Sequence, residues 1–169
     1  HYGENKVQES IEKWPDIKNE FIDIKLHFIG KLQSNKVKYV LPLFDYIHSL
    51  DNLKLAEKIS LEQKKKNVKP KIFIQVNIGN EEQKNGIKID HLEEFKKKCT
   101  NIFNLDIVGL MCIPPANISP KIFFSKMSLL KDKMNLKELS MGMSNDYLEA
   151  TESEATFVRI GSKIFGKRI

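Results

Sequence analysis

Apolar positions along the chain fall into two alternating rhythms. Short dense apolar runs recur: Ile24 to Ile29, Tyr46 to Leu50, Lys71 to Ile78, Ile107 to Ile113, and two more in the segment from Glu138 that each end at a glycine and a serine. These read as strands, and the run from Lys71 is too apolar to be half-exposed. Between them the apolar residues space out to a helical period. Val7, Ile11 and Trp14 form one stripe, with Pro15 near its end, Val37, Val40 and Leu41 a second, and Leu55 and Ile59 a third. Leu92 with Phe95, then Phe123, Met127, Leu130 and Met134, continue the series, and Asn145 to Glu154 reads as a last short helix. Expected starts are Ser34, Asp51, a capping box of Asp90 with Glu93, and Ser119 followed by Pro120. Residues Asn80 to Gly86 read as a polar loop, and Pro114-Pro115 stops the fifth strand. The chain opens at His1-Tyr2, which reads as the end of a further strand, so the sequence enters mid-fold.

Strands alternating with helices predict a parallel sheet with helices outside it. Counting the stub at Tyr2 gives seven strands, one short of a closed eight-stranded barrel. The 169 residues fit one α/β-barrel domain, 1–169, incomplete at its N-terminus. No repeat, linker or low-complexity block interrupts it.

The last thirty-odd residues carry the candidate chemistry. Met141-Gly142-Met143-Ser144 and Ile160-Gly161-Ser162 each end an apolar run at a glycine, place a hydroxyl after it and then allow a helix. Backbone N–H groups at such ends, with a serine hydroxyl beside them, suit a phosphate, and a barrel of this kind often binds phosphate at its last two strand ends. Strand alternation puts Phe157, Arg159 and Gly161 on one face and Val158 with Ile160 on the other. Arg159 and Arg168 are the only arginines among 28 basic residues, so Arg159 reads as a position that needs a planar, permanent cation. A structural ion pair at a strand end is the competing reading.

Composition narrows the classes. Net charge is +6 with a pI near 9.2, but the lysines are spread along the chain and the run Lys64-Lys65-Lys66 lacks interleaved aromatics, so a nucleic-acid partner is not expected. No apolar run approaches a membrane span and no signal-peptide pattern is present. Cys99 and Cys112 have no metal-ligand or disulfide-framework spacing, which points to a reduced cytoplasmic setting. Glu81-Glu82, adjacent in a loop beside Lys84, reads as surface, and no metal site is expected.

Several stretches together resemble the pyridoxal phosphate homeostasis protein family, formerly the proline synthetase co-transcribed homologues. They are Tyr-Gly-Glu-Asn-Lys-Val-Gln-Glu from Tyr2, His-Phe-Ile-Gly-Lys-Leu-Gln-Ser-Asn-Lys from His27, Val-Asn-Ile-Gly-Asn-Glu-Glu-Gln-Lys-Asn-Gly from Val76, and Gly-Leu-Met-Cys-Ile-Pro from Gly109. Leu-Ser-Met-Gly-Met-Ser-Asn-Asp from Leu139 and Val-Arg-Ile-Gly-Ser-Lys-Ile-Phe-Gly-Lys-Arg from Val158 complete the set in family order.

The resemblance implies a TIM-type (β/α)8 barrel similar to the alanine racemase N-terminal domain, here lacking the first strand and N-terminal helices. It implies pyridoxal 5′-phosphate as cofactor. Ser144, Ser162 and the amides near Gly161 would hold the phosphate, and Arg159 would meet the pyridine nitrogen. Asn5 would border the ring edge, Met111 or Met143 would line its face, and Ser140 would face the barrel interior. The family's Schiff-base lysine, in a Val-Ser-Lys type motif on the first strand, has no counterpart here and is expected upstream of His1. No catalytic residue is assigned. The implied role is cofactor buffering or delivery, possible partners being pyridoxal phosphate-dependent apoenzymes. An amino-acid racemase of fold type III and a degenerate barrel that has lost the cofactor lysine are the alternatives. Independently of the resemblance, Asn5 could cap the first helix and His27 reads as a core histidine.

Overall fold

A computed structural model describes residues 1–166 of the chain; Lys167 and Arg168, which end the C-terminal motif, lie outside the described residues. Seven parallel strands follow one another in sequence order: β1 (Tyr2–Glu4), β2 (Leu26–Phe28), β3 (Tyr46–Leu50), β4 (Lys71–Gln75), β5 (Asp106–Met111), β6 (Glu138–Met143) and β7 (Phe157–Arg159). Each connection returns over the outside through α1 (Val7–Glu20), a 3₁₀ turn Ser34–Lys36 running into α2 (Val37–Val40), α3 (Leu53–Lys66), α4 (Ile89–Asn101), α5 (Pro120–Lys133) or α6 (Tyr147–Glu152). The final helix, α7 (Ser162–Phe165), follows β7. Among the described residues β1 and β7 are the two edges. They face each other: the His1 and Phe157 rings lie 5.8 Å apart. The sheet is a nearly closed barrel.

Alternation along the strands divides the side chains between two cores. Leu26, Phe28, Ile47, Ile72, Ile74, Leu110, Leu139 and Met141 point outward and merge with Trp14, Leu55, Ile59, Leu92, Phe95, Phe124 and Met127 of the helices. Their neighbours His27, His48, Phe73, Met111 and Ser140 are equally buried but lie on the opposite side of the sheet, inside the barrel. A polar group there has water only at the barrel mouths, so it must find a partner within.

Most predicted elements appear, with boundaries moved for identifiable reasons. The first helix does not end near Pro15 but continues to Glu20. Ser34 does not cap a helix; it begins the 3₁₀ turn, after Gln33. Asn52, not Asp51, caps α3, its Oδ1 accepting the Leu55 N–H at 2.8 Å. The lysine run is the last turn of α3, where cations meet the carbonyl end of the helix dipole. The Asp90–Glu93 box does not form: α4 starts two residues earlier than that box requires, with Lys88 as its cap. Asn5 does not cap α1, whose cap is Lys6. Ser119 and Pro120 stand at the expected first positions of α5.

Candidate functional site

The ends of β6 and β7 form a site through three local devices. After β6 the chain turns at Met143–Asp146, and the turn is closed twice: the Asp146 carboxylate accepts the Met143 N–H at 2.6 Å, and the Asp146 N–H donates to the Met143 carbonyl at 3.1 Å. Gly142 lets the strand enter this turn with φ of +87°, and a Cβ there would stand 2.5 Å from the Ala150 methyl of α6. Ser144, at the tip of the turn, accepts the Gly161 N–H at 3.3 Å, tying the two strand ends together one residue before Ser162.

Ser162 is the first residue of α7, so its amide and that of Lys163 have no acceptor within the helix. A Cβ at Gly161 would meet nothing within 4 Å, so this backbone borders open space. Ser144, Gly161 and Ser162 are therefore brought together. Met143 is partly exposed at the rim and pairs in register with Arg159. Met111 is buried and pairs with Ser140. Asn5 stands exposed just past β1.

Arg159 turns into the barrel, on the face it shares with Phe157. Its Nη1 donates to Ser140 Oγ at 2.7 Å and its Nη2 to the Cys112 carbonyl at 2.8 Å. Both acceptors are neutral, and among the described residues no carboxylate pairs with the guanidinium. The structural ion pair is thus not what keeps an arginine here. Burial lowers its pKa, opposed by the Cys112 thiol and by Asp146, yet a guanidinium remains cationic at neutral pH. Burial also pushes the Cys112 thiol up to about 12, so it is no nucleophile.

Behind Ser140 lies a layer not anticipated as a unit. His48 Nδ1 is 2.8 Å from Ser140 Oγ, His48 Nε2 is 2.9 Å from His27 Nδ1, and His27 Nε2 is 2.8 Å from His1 Nδ1. Tyr46 stacks on His27 at 4.1 Å, Phe73 stacks on His48 at 4.3 Å, and Phe157 closes on both imidazoles. Burial draws the His27 pKa down to about 4, helped by the N-terminal amine and opposed by Asp45. For His48 burial, His27 and Arg159 all lower it. Both imidazoles are neutral at pH 7. The sequence signal for His48 was its spacing of two from Tyr46, masked by the apolar residues around it.

A different cleft, of about 400 Å³, opens where the strands begin, lined by Lys18, Lys25, Asp45, Tyr46, Lys69 and Lys71 among others. Its central cation is already committed: Lys18 pairs with Asp45 at 2.9 Å and donates to the Leu43 carbonyl. The uncompensated cation and the open backbone amides are at the other end.

Comparison with known proteins gives the family. Residues 1–168 match the family described as alanine racemase, N-terminal domain. The Pyridoxal phosphate homeostasis protein of Aquifex aeolicus is 41% identical over 99% of this chain and 76% of its own length. The chain belongs to the pyridoxal phosphate homeostasis protein family. Among solved structures, PipY of Synechococcus elongatus PCC7942 without pyridoxal phosphate superposes with a TM-score of 0.89 at 33% identity, covering 98% of this chain and 81% of PipY. The same protein with pyridoxal phosphate bound gives 0.87 at 32% identity, over the same shares. The fold of the pyridoxal phosphate homeostasis proteins, an α/β barrel of the TIM type, is thereby the fold of this chain.

Proposed function

We propose that this protein binds pyridoxal 5′-phosphate and serves its buffering and delivery inside the cell, without catalysing a reaction on it. The observation that carries this reading is the half-buried Arg159 guanidinium, held by neutral acceptors only, one strand end away from the open amides at Gly161 and Ser162. That donor set fits the cofactor. Ser144, Ser162 and the α7 amides would hold the phosphate, Arg159 would donate to the ring nitrogen, Met111 and Met143 would line a face of the ring, and Asn5 would border its edge.

When bound, pyridoxal 5′-phosphate supplies an aldehyde that condenses with amines and a ring that withdraws electrons. A permanent cation at the ring nitrogen keeps that nitrogen unprotonated, which weakens the electron sink. Among the described residues around Arg159, Ser140 is engaged on both sides, the Cys112 thiol stays protonated, His48 sits behind Ser140, and the Asp146 carboxylate is held by the Met143 N–H. Racemisation needs two proton-transfer groups on opposite faces of the substrate carbon, and this arrangement favours the carrier over the racemase.

Reduced Cys99 and Cys112, both buried and unpaired, support a cytoplasmic location, and among the described residues no helix is long and apolar enough to cross a membrane. We place residues 1–169 in one domain with apoenzymes that need the cofactor as clients. Loading the protein with pyridoxal 5′-phosphate and mixing it with such an apoenzyme should restore that enzyme's activity. Amino acids incubated with the loaded protein in D₂O should keep their α-protons. Exchange of those protons would establish the racemase reading instead.

A further inference from the structure

Arg159, Ser140, His48, His27 and His1 form one hydrogen-bonded line through the barrel, and the line has a direction. A guanidinium can only donate, so Ser140 Oγ accepts from Arg159. The one proton of the Ser140 hydroxyl then has the His48 Nδ1 before it, at 2.8 Å. A neutral His48 that accepts at Nδ1 carries its own proton on Nε2, and that nitrogen faces His27 Nδ1 at 2.9 Å. His27 in turn carries its proton on Nε2, towards His1 Nδ1 at 2.8 Å. Two conditions, the donor-only guanidinium and the need to partner the buried Ser140 proton, fix every link. The reverse polarity would have His48 donate to Ser140, leaving the hydroxyl to accept twice with its own proton unpartnered in a buried site.

We propose that His48 and His27 are positioning residues for Arg159: their aligned imidazoles draw the Ser140 hydroxyl proton onto His48 Nδ1, turn the Oγ lone pairs to Arg159 and so fix the guanidinium with its remaining N–H groups free for a ligand. The groups packed around the imidazoles support the direction. Phe73, Tyr46 and Phe157 offer ring faces and edges with no competing strong acceptor at these nitrogens. A doubly protonated His48 would turn a positive charge towards Arg159 and set its Nδ1–H against the Ser140 hydroxyl proton. Aligned donors also polarise one another, which makes the Ser140 oxygen a stronger acceptor for the cation.

The ligand part of this proposal rests on the pyridoxal 5′-phosphate reading; the polarity does not. Long-range ¹H–¹⁵N correlation of the histidine rings in the ¹⁵N-labelled chain at pH 7 reads the tautomers directly. The expected result is the Nε2–H form for both His27 and His48. Ser140→Ala should move the His48 ring shifts and, through it, those of His27, which does not touch Ser140. A His48 protonated at Nδ1, or one indifferent to Ser140→Ala, overturns the proposal whether or not any cofactor binds. Titration with pyridoxal 5′-phosphate supplies the second readout. His48→Gln can accept and donate in the same places and should retain affinity within about twofold, while His48→Phe, which keeps the stack on Phe73, should lose about tenfold, a difference of one hydrogen bond. Equal affinities for the two variants would show that His48 only packs.

Discussion

At the scale of single residues, Arg159 combines a function with a stability cost. A cation taken from water and given only a hydroxyl and a carbonyl is poorly compensated, and a well-packed apolar replacement of such a group is often neutral or stabilising. Arg159→Met should therefore leave the melting temperature of the unliganded protein unchanged or raised, while weakening pyridoxal 5′-phosphate binding more than tenfold. Thermal unfolding monitored by circular dichroism, alongside a cofactor titration, checks both halves. Gly142 is the opposite case, a residue kept for shape. Gly142→Ala places a Cβ at φ +87° and 2.5 Å from Ala150, which should destabilise the fold by about 2–3 kcal/mol in urea titration. Much of this site was legible in the sequence. Strand parity alone placed Arg159 with Phe157, and the paired glycine–serine endings marked the two strand ends that Ser144 and Gly161 join. His48 was not legible as a partner of Ser140, because the contact joins residues 92 positions apart and depends on barrel curvature that no local pattern encodes.

At the scale of elements, the order and type of the strands followed from hydrophobic rhythm, since each strand buries a continuous outward face under a helix stripe. The boundaries did not. Asp51 and Asn52 are both competent caps by residue type; the structure selects Asn52 because its extended backbone brings Oδ1 to the Leu55 N–H. Asn52→Ala should lower stability by about 1 kcal/mol, and Asp51→Ala by much less. Equal losses in chemical denaturation would contradict that assignment. The capping box at Asp90 and Glu93 fails for a similar reason: α4 already begins at Ile89, and Glu93 spends its charge on Lys97 at 2.9 Å along the helix surface. Pro15 lies inside α1 without ending it.

At the scale of the whole molecule, the barrel holds its helices on an apolar outer layer and keeps a neutral polar line through its interior, and this arrangement sets its response to acid. His27 has its folded-state pKa lowered to about 4 and His48 has its own lowered well below the ordinary 6.5, so below 6.5 the unfolded chain binds protons that the folded chain refuses. Stability is full above pH 6.5 and falls as pH drops, by up to about 1.4 kcal/mol per pH unit for each imidazole. His48→Phe should flatten that limb of the stability profile. Asp45 acts lower: burial raises its pKa, but the Leu26 N–H and Lys18 together outweigh this and depress it, so its contribution is lost only as pH falls through the carboxylate range. In the proposed complex Arg159 and the joined ends of β6 and β7 would cup one pyridoxal 5′-phosphate. Titrating the wild-type chain, Arg159→Ala and Ser144→Ala with that cofactor tests it most directly. Saturable one-to-one binding that weakens at least tenfold in Arg159→Ala and severalfold in Ser144→Ala is the predicted result; no binding by the wild type, or affinity indifferent to both changes, would contradict it.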